Sequence, residues 1–429
     1  MKIYFFNTRQ MKLGAFIKSQ SLFFFFLVFS MFGYAQAPTI MLLSPDSTYK
    51  DRDGLIQMSA EAMLGSNVLD NLFIKKSLLG GHLENSHLNS LNGNLHQQNR
   101  AGFIGSGGLQ FLNFRDTLFN HPHWGLRVDV NTNYHASANF SRDLFTTVYR
   151  GNASFRNDTA VIAPIDYQYQ SWQKFGLGIF NKHNLSSITL SLVEGQSFQS
   201  LQVSEASLYT SQLGDSIIVN YRGDYVRSDS SKFGWANGSG LGAALDLDYN
   251  LPLADNLGFI SVSLHDIGFV VWNKMSQKFS FDSLSTWTGV QVSDVFQLTT
   301  DTLDLPNLRD SLHFTSSKKS FVSPLPASIH LRYCRYFTSR DFYEAGLSMW
   351  PGKAALPLVY AGLSHFVGKH FVFSERISFG GYGRFGVGVE MQWMPCSAWI
   401  IRGGTRNIGG FTMGSSHGID GYLSIAKTF

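Results

Sequence analysis

The sequence predicts an all-β fold, a transmembrane antiparallel β-barrel of about 14 strands. Three observations carry this. Apolar residues alternate with polar or small ones at a period of two in many short segments. The N-terminus reads as an export signal. The chain ends on an aromatic residue, Phe429, that closes an alternating segment. A period of two means strands with one greasy and one wet face, and an exported chain ending this way fits a barrel in a bacterial outer membrane.

The first element is the leader. Lys2, Arg9, Lys12 and Lys18 precede the apolar stretch from Leu22 to Phe32, and Gly33-Tyr34-Ala35 offers a cleavage site. The apolar run is too short to span a bilayer, so residues 1–35 read as a signal peptide, with Met11 an alternative start. Removing these residues takes 4 from the 34 Lys and Arg and none from the 30 Asp and Glu, so the formal +4 falls to zero. A neutral mature chain gives no footprint for nucleic acid.

Residues 36–429 read as one barrel domain. Charged residues make up 15% and aromatics 14%, with 37 Phe and 41 Gly, yet after Phe32 no run approaches a spanning helix. Only one face of each strand has to be greasy in a barrel, and closing the sheet satisfies its backbone in lipid.

Ala37 to Asp53 is a polar lead-in, and Leu55 to Leu64 the first strand. Val68 to Gln98 loses the two-residue alternation and takes helical spacing around a Gly80-Gly81 break. The expectation for 68–98 is a small helical plug or periplasmic insert outside the wall. Strands resume at Ala101 to Phe114 and Trp124 to Tyr134. Phe140 to Arg150 reads as a short helix. Tyr167 to Phe180, Ser187 to Ser200, Ser207 to Asn220, Gly240 to Leu251 and Leu257 to Trp272 follow as strands. Residues 280–322, rich in Ser, Thr and Asp, read as a long extracellular loop. From Ala327 onward seven strands come closely packed, ending with Arg384–Met394, Ala398–Thr405 and Gly418–Phe429. Trp350, Trp393, Tyr382 and Trp399 are expected in aromatic girdles.

The polar phases name lumen-facing candidates: Asp129, Asp246, Asp248, Glu390 and Gln392. Asp266 shares the apolar phase of Ile260, Val262 and Leu264, so it is either a polar gate touching the plug or a carboxylate in a bulge. No catalytic residue is assigned, because no Gly-x-Ser-x-Gly elbow occurs and no nucleophile and base are tied by spacing. No metal site is assigned either: His121-Pro122-His123 lacks further ligands, and zinc takes about four. No cofactor is expected; Gly-x-Gly pieces such as Gly176-Leu177-Gly178 are strand packing rather than phosphate loops. Cys334 and Cys396 form no disulfide framework, although one bridge is open to them.

Three further pieces carry a family resemblance: Phe140-Ser141-Arg142-Asp143-Leu144-Phe145 running into Gly151-Asn152, Asp266-Ile267-Gly268-Phe269-Val270-Val271-Trp272, and Gly404-Thr405-Arg406-Asn407-Ile408-Gly409-Gly410. Together they resemble an uncharacterised family of outer-membrane barrels, a domain of unknown function. That family is similar in architecture to type IX secretion accessory barrels and to the long-chain fatty-acid transporter class. Arg156 departs from the pattern, where a smaller residue is expected. The resemblance implies a fold and an outer-membrane address in a Gram-negative bacterium, and brings no catalytic residues.

The functional expectation is therefore a non-enzymatic outer-membrane protein in contact with lipid and lipopolysaccharide. It would act as a plugged pore or transporter of small or apolar molecules, or as an accessory barrel in protein secretion. One alternative is a docking subunit that binds a secretion or surface-assembly partner. A further alternative is an exported soluble β-sheet adhesin.

Overall fold

Successive residues of a strand point to opposite faces, so the alternation read from the sequence becomes an inside and an outside once the sheet closes. The computed structural model describes residues 52–429 except 116–117, 233, 235–236, 256 and 288–314. The leader 1–35 and nearly all of the polar lead-in lie outside the described residues.

Nineteen strands occur among the described residues, all in one sheet. Numbered in chain order, they are β1 Gly54–Ser66, β2 Gln98–Asn113, β3 Trp124–Ser141, β4 Asp158–Val161, β5 Ile165–Asn181, β6 Ser187–Thr210, β7 Ile217–Arg227, β8 Gly240–Pro252, β9 Gly258–Trp272 and β10 Gln277–Trp287. They continue with β11 Thr315–Lys318, β12 Phe321–Pro324, β13 Ser328–Tyr336, β14 Asp341–Met349, β15 Leu356–Val367, β16 Phe371–Gly381, β17 Phe385–Cys396, β18 Trp399–Thr405 and β19 Gly418–Thr428. Fourteen positions form the antiparallel wall. They run β1, β2, β3, β5, β6, β8, β9, β13 with β12 above it, then β14 to β19, and β19 pairs back onto β1. The seam closes at the terminal end. There Asp53 N and Gly54 N donate to the Phe429 carbonyl at 2.7 and 3.1 Å, and the Phe429 ring stacks on Phe111.

The wall is greasy outside and polar inside. On β6, Leu190 is 65% exposed, whereas its neighbours Thr189 and Ser191 are 0% and 2% exposed. A water-soluble sandwich would bury the leucine and expose the hydroxyls. The inversion is what a cylinder in lipid requires.

Connections at the terminal end are short, among them 182–186, 253–257, 337–340, 368–370 and 397–398. Those at the opposite, loop end are long. The helical insert lies at the loop end as helices α1 (Asn71–Leu79) and α2 (Asn85–Asn94). Asp70 caps α1 by accepting from Phe73 N at 2.8 Å, and Gly80 ends it in the left-handed region at φ 77. Both helices pack on α3 (Arg142–Arg150), which Ser141 caps, through Phe73, Leu88, Leu91 and Phe145. None of the insert's described residues lines the internal cavity.

Two expectations fail locally. The separate strands Ser187–Ser200 and Ser207–Asn220 are one 24-residue strand, β6, followed by β7. The register slips opposite Gln196 and Ser204 shift its phase and interrupt the alternation. Its lower half pairs β8 in the wall. Its upper half pairs β7, which pairs β10, so a sheet extension rises past the rim. The loop expected over 280–322 begins inside β10 and ends in β11 and β12. Its central residues, 288–314, lie outside the described residues.

Candidate functional site

The inward faces of the strands enclose a cavity of about 230 Å³, to which Asp129, Asp246 and Asp248 all contribute. Each sits in the polar phase of its strand, and each meets a cation. Arg127 Nε donates to Asp129 Oδ2 at 2.7 Å, and Arg127 Nη1 to Asp248 Oδ2 at 2.8 Å. On its other oxygen Asp248 meets His265 Nε2 at 2.8 Å and the Ser263 hydroxyl at 2.7 Å.

Asp266 lies in a β-bulge. The β8–β9 register slips between Leu245 and Leu247, and Asp266 adopts φ 58. The left-handed turn reverses the phase that the sequence assigns to Asp266 and aims its carboxylate inward. Lys174 Nζ reaches Asp266 Oδ1 at 2.8 Å and Asp246 Oδ2 at 2.9 Å. Trp172 Nε1 donates to Asp266 Oδ1 at 3.3 Å, and the Asp266 amide donates to Asp246 Oδ1 at 2.8 Å. The bulge thus completes one ammonium held by two carboxylates.

Glu390 belongs to a second network beside the cavity. Arg332 donates to Glu344 Oε2 through Nε at 2.9 Å and Nη2 at 2.6 Å. Arg376 pairs with both Glu344 and Glu390, and Arg402 with Glu390. Arg376 also lies 4.8 Å from the centre of the Tyr360 ring. Gln392 is buried on the same inner face, its amide 3.7 Å from Met394 Sδ. Charges taken out of water this far persist because each is paired and hydrogen-bonded.

The five polar-phase residues named from the sequence are therefore all buried, three of them around the cavity. What sequence reasoning missed are the cations, above all Lys174, Arg332, Arg376 and Arg402. Their signal was present: Lys174 shares a phase with Gly176 and Gly178, and Arg402 with Gly404.

Apolar groups flank the cavity toward both ends. At the terminal end lie Leu55, Leu112, Phe180 and Leu185 on one side, and Cys334, Phe342 and Val372 on another. At the loop end the β14–β15 turn, 350–355, folds across the mouth to the opposite side of the wall. There Ala354 N donates to Ser137 Oγ of β3 at 3.2 Å, and Lys353 Nζ bonds Gln168 Oε1 of β5. Burial pushes the Lys353 ammonium down to about 8, against the pull of Asp166. Tyr382 closes the mouth beside this turn. Its hydroxyl lies 3.1 Å from His135 Nε2, and its ring packs with Met63, Trp350 and Leu358. Trp350 and Tyr382 thus face inward, contrary to their expected place in an outer girdle. Trp350 continues the inner phase of Ser348, and Tyr382 turns in from a tight connection. Trp393 and Trp399 do sit on the outer face near the terminal end, Trp393 stacked on Phe371 and Trp399 under Lys427.

His123 Nδ1 stands 2.6 Å from His183 Nε2 at an exposed terminal-end turn, while His121 packs on Trp124. Among the described residues no three His, Cys, Asp or Glu side chains converge as a metal site. His330 meets the Ser348 and Ser328 hydroxyls through its two ring nitrogens, so no carboxylate orients it as in a triad. Cys334 is buried, Cys396 is exposed, and both thiols are free.

The profile of a family of unknown function (DUF5723) matches residues 54–401. No curated protein matches the sequence. Among solved structures, the toluene transporter TodX of Pseudomonas putida shares 9% identity over 92% of this chain and 93% of its own, with a TM-score of 0.44. A Pseudomonas aeruginosa FadL homologue shares 8% over 88% and 90%, at 0.37. The translocator domain of the autotransporter NalP from Neisseria meningitidis shares 7% over 98% and 100%, at 0.31.

Proposed function

The chain belongs to the family of unknown function DUF5723, and we propose that it is a non-catalytic outer-membrane β-barrel acting as a plugged pore for small polar solutes. The observation that carries this reading is a chamber of paired charges inside a cylinder whose outer face is greasy. Barrels of the outer membrane carry short periplasmic turns and longer external loops, so the loop end faces outward. The plug is the turn 350–355, latched to β3 and β5 across the mouth. An apolar passenger would have to displace water from charged side chains without replacing its hydrogen bonds, which favours polar solutes.

Planar-bilayer conductance tests this. Wild type is expected to be almost silent, and a Trp350→Ala, Lys353→Ala double variant to conduct. If both are silent while the variant keeps its folded, heat-modifiable gel mobility, passage through the lumen is wrong.

A docking role is favoured by a separate observation. At 24 residues β6 far exceeds the roughly 9–11 that a strand needs to cross a bilayer, and its surplus builds the extension. Co-purification of a partner in mild detergent that is lost when 204–223 is replaced by a short turn supports an accessory barrel for secretion or surface assembly. The outward apolar face lends nothing to the soluble-adhesin alternative.

A further inference from the structure

The chamber's charged side chains are already matched. Glu61 is paired with Arg406, Asp129 and Asp248 with Arg127, Asp246 and Asp266 with Lys174, and Arg332 and Arg376 with Glu344. What is left over is mostly neutral. Gln57 Oε1, Asn250 Nδ2, Asn133 Nδ2 and His135 Nδ1 line the same cavity with no hydrogen-bond partner, as does the second oxygen of Asp129, its Oδ1. Gln57, Asp129, His135 and Asn250 are each more than nine-tenths buried. A buried polar atom left unmade costs about 1–3 kcal/mol, so five around one cavity call for an occupant offering both donors and acceptors. At about 30 Å³ per water, the 230 Å³ cavity holds about seven waters, or one solute the size of a sugar ring.

We propose that the chamber is a binding site for a neutral, polyhydroxylated solute of monosaccharide size. An ion would meet no unpaired side chain of opposite charge, because Asp129 already shares its charge with Arg127. An apolar molecule would leave all five atoms unsatisfied. A single sugar ring brings several hydroxyls, each a donor and an acceptor. The inference rests on the pore reading for its route of entry, but it is tested by binding rather than by current.

The experiment uses the full chain folded in detergent micelles, with glucose, gluconate and toluene as probes, read by saturation-transfer NMR. Glucose is expected to saturate. A Gln57→Leu, Asn250→Leu double variant that keeps heat-modifiable mobility is expected to weaken it at least tenfold, and gluconate and toluene are expected not to saturate. Saturation by gluconate or toluene in place of glucose overturns the proposal, as does no saturation by any probe, or equal glucose binding in the double variant. A barrel that binds glucose but never conducts sinks the pore reading and leaves the chamber site standing. One that conducts but binds no glucose does the reverse.

Discussion

Replacing Lys174 with methionine is the sharpest test of how dry the barrel interior is. The ammonium lies 2.8 Å from Asp266 and 2.9 Å from Asp246, and all three side chains are less than 10% exposed. At an effective dielectric of about 20, a contact at this distance is worth about 6 kcal/mol of attraction before desolvation. Losing one partner of such a buried set typically costs about 3–5 kcal/mol, because the remaining charges stay uncompensated. Lys174→Met should therefore lower unfolding stability by that amount, measured by guanidinium titration of tryptophan fluorescence in lipid vesicles. Adding Asp246→Asn and Asp266→Asn should recover most of the loss. An Asn carbonyl at 246 can still accept from the 266 amide, and one at 266 from the Trp172 indole. Arg222, which pairs with Glu205 and Asp282 on the exposed extension, serves as control, and Arg222→Met should leave stability unchanged. A Lys174→Met barrel within about 1 kcal/mol of wild type would refute the reasoning, since it would mean that lumen water screens these charges as bulk solvent does.

Leu190 stands outward in the wall, and Leu190→Arg should cost about 2–4 kcal/mol near the bilayer midplane. Spontaneous folding into vesicles measures it, and an unchanged yield would mean that this face does not meet lipid. At Gly102 an added Cβ would lie 2.3 Å from the Tyr382 ring, so Gly102→Ala should overpack the mouth by about 1–3 kcal/mol and break the Tyr382–His135 contact. A melting temperature equal to wild type would contradict it. Lys353, held near 8 when docked, would return toward its model value of 10.5 when the turn swings out. Between those values the released turn binds a proton that the docked one has lost, so docking strengthens as pH rises through that window. Asp166 and His135 are the titratable groups facing it. Residual conductance should fall between about pH 7 and pH 10 in wild type but not in Lys353→Met, and equal pH responses would remove Lys353 from the latch.

The fold was legible where strands alternate without interruption. β8, β17 and β19 announce their two faces residue by residue, and their polar phases pointed to Asp246, Asp248 and Glu390 directly. Legibility ended at register slips. Gln196 and Ser204 each insert one residue into β6, so a single strand reads as two. The bulge at Asp266 reverses the phase of one carboxylate and with it the apparent role. Period-two reading assumes a constant register, and a bulge is a local exception that only the paired strand reveals. The placement of the 68–98 insert was hidden for another reason: helical spacing names an element, while the end of the barrel it caps depends on which way β1 runs. The lid at 350–355 looked like any tight turn, because its latches to Ser137 and Gln168 lie far away in sequence.

The 24-residue strand β6 has a mechanical consequence. Its lower half supplies Thr189 and Ser191 to the interior, and its upper half is a backbone strut of the extension. Whatever grips that strut from outside pulls on a continuous peptide rod rather than on a hinged appendage. A tug at the tip is transmitted as a shift of hydroxyl groups within the barrel, so the external sheet works as a handle on the inner wall.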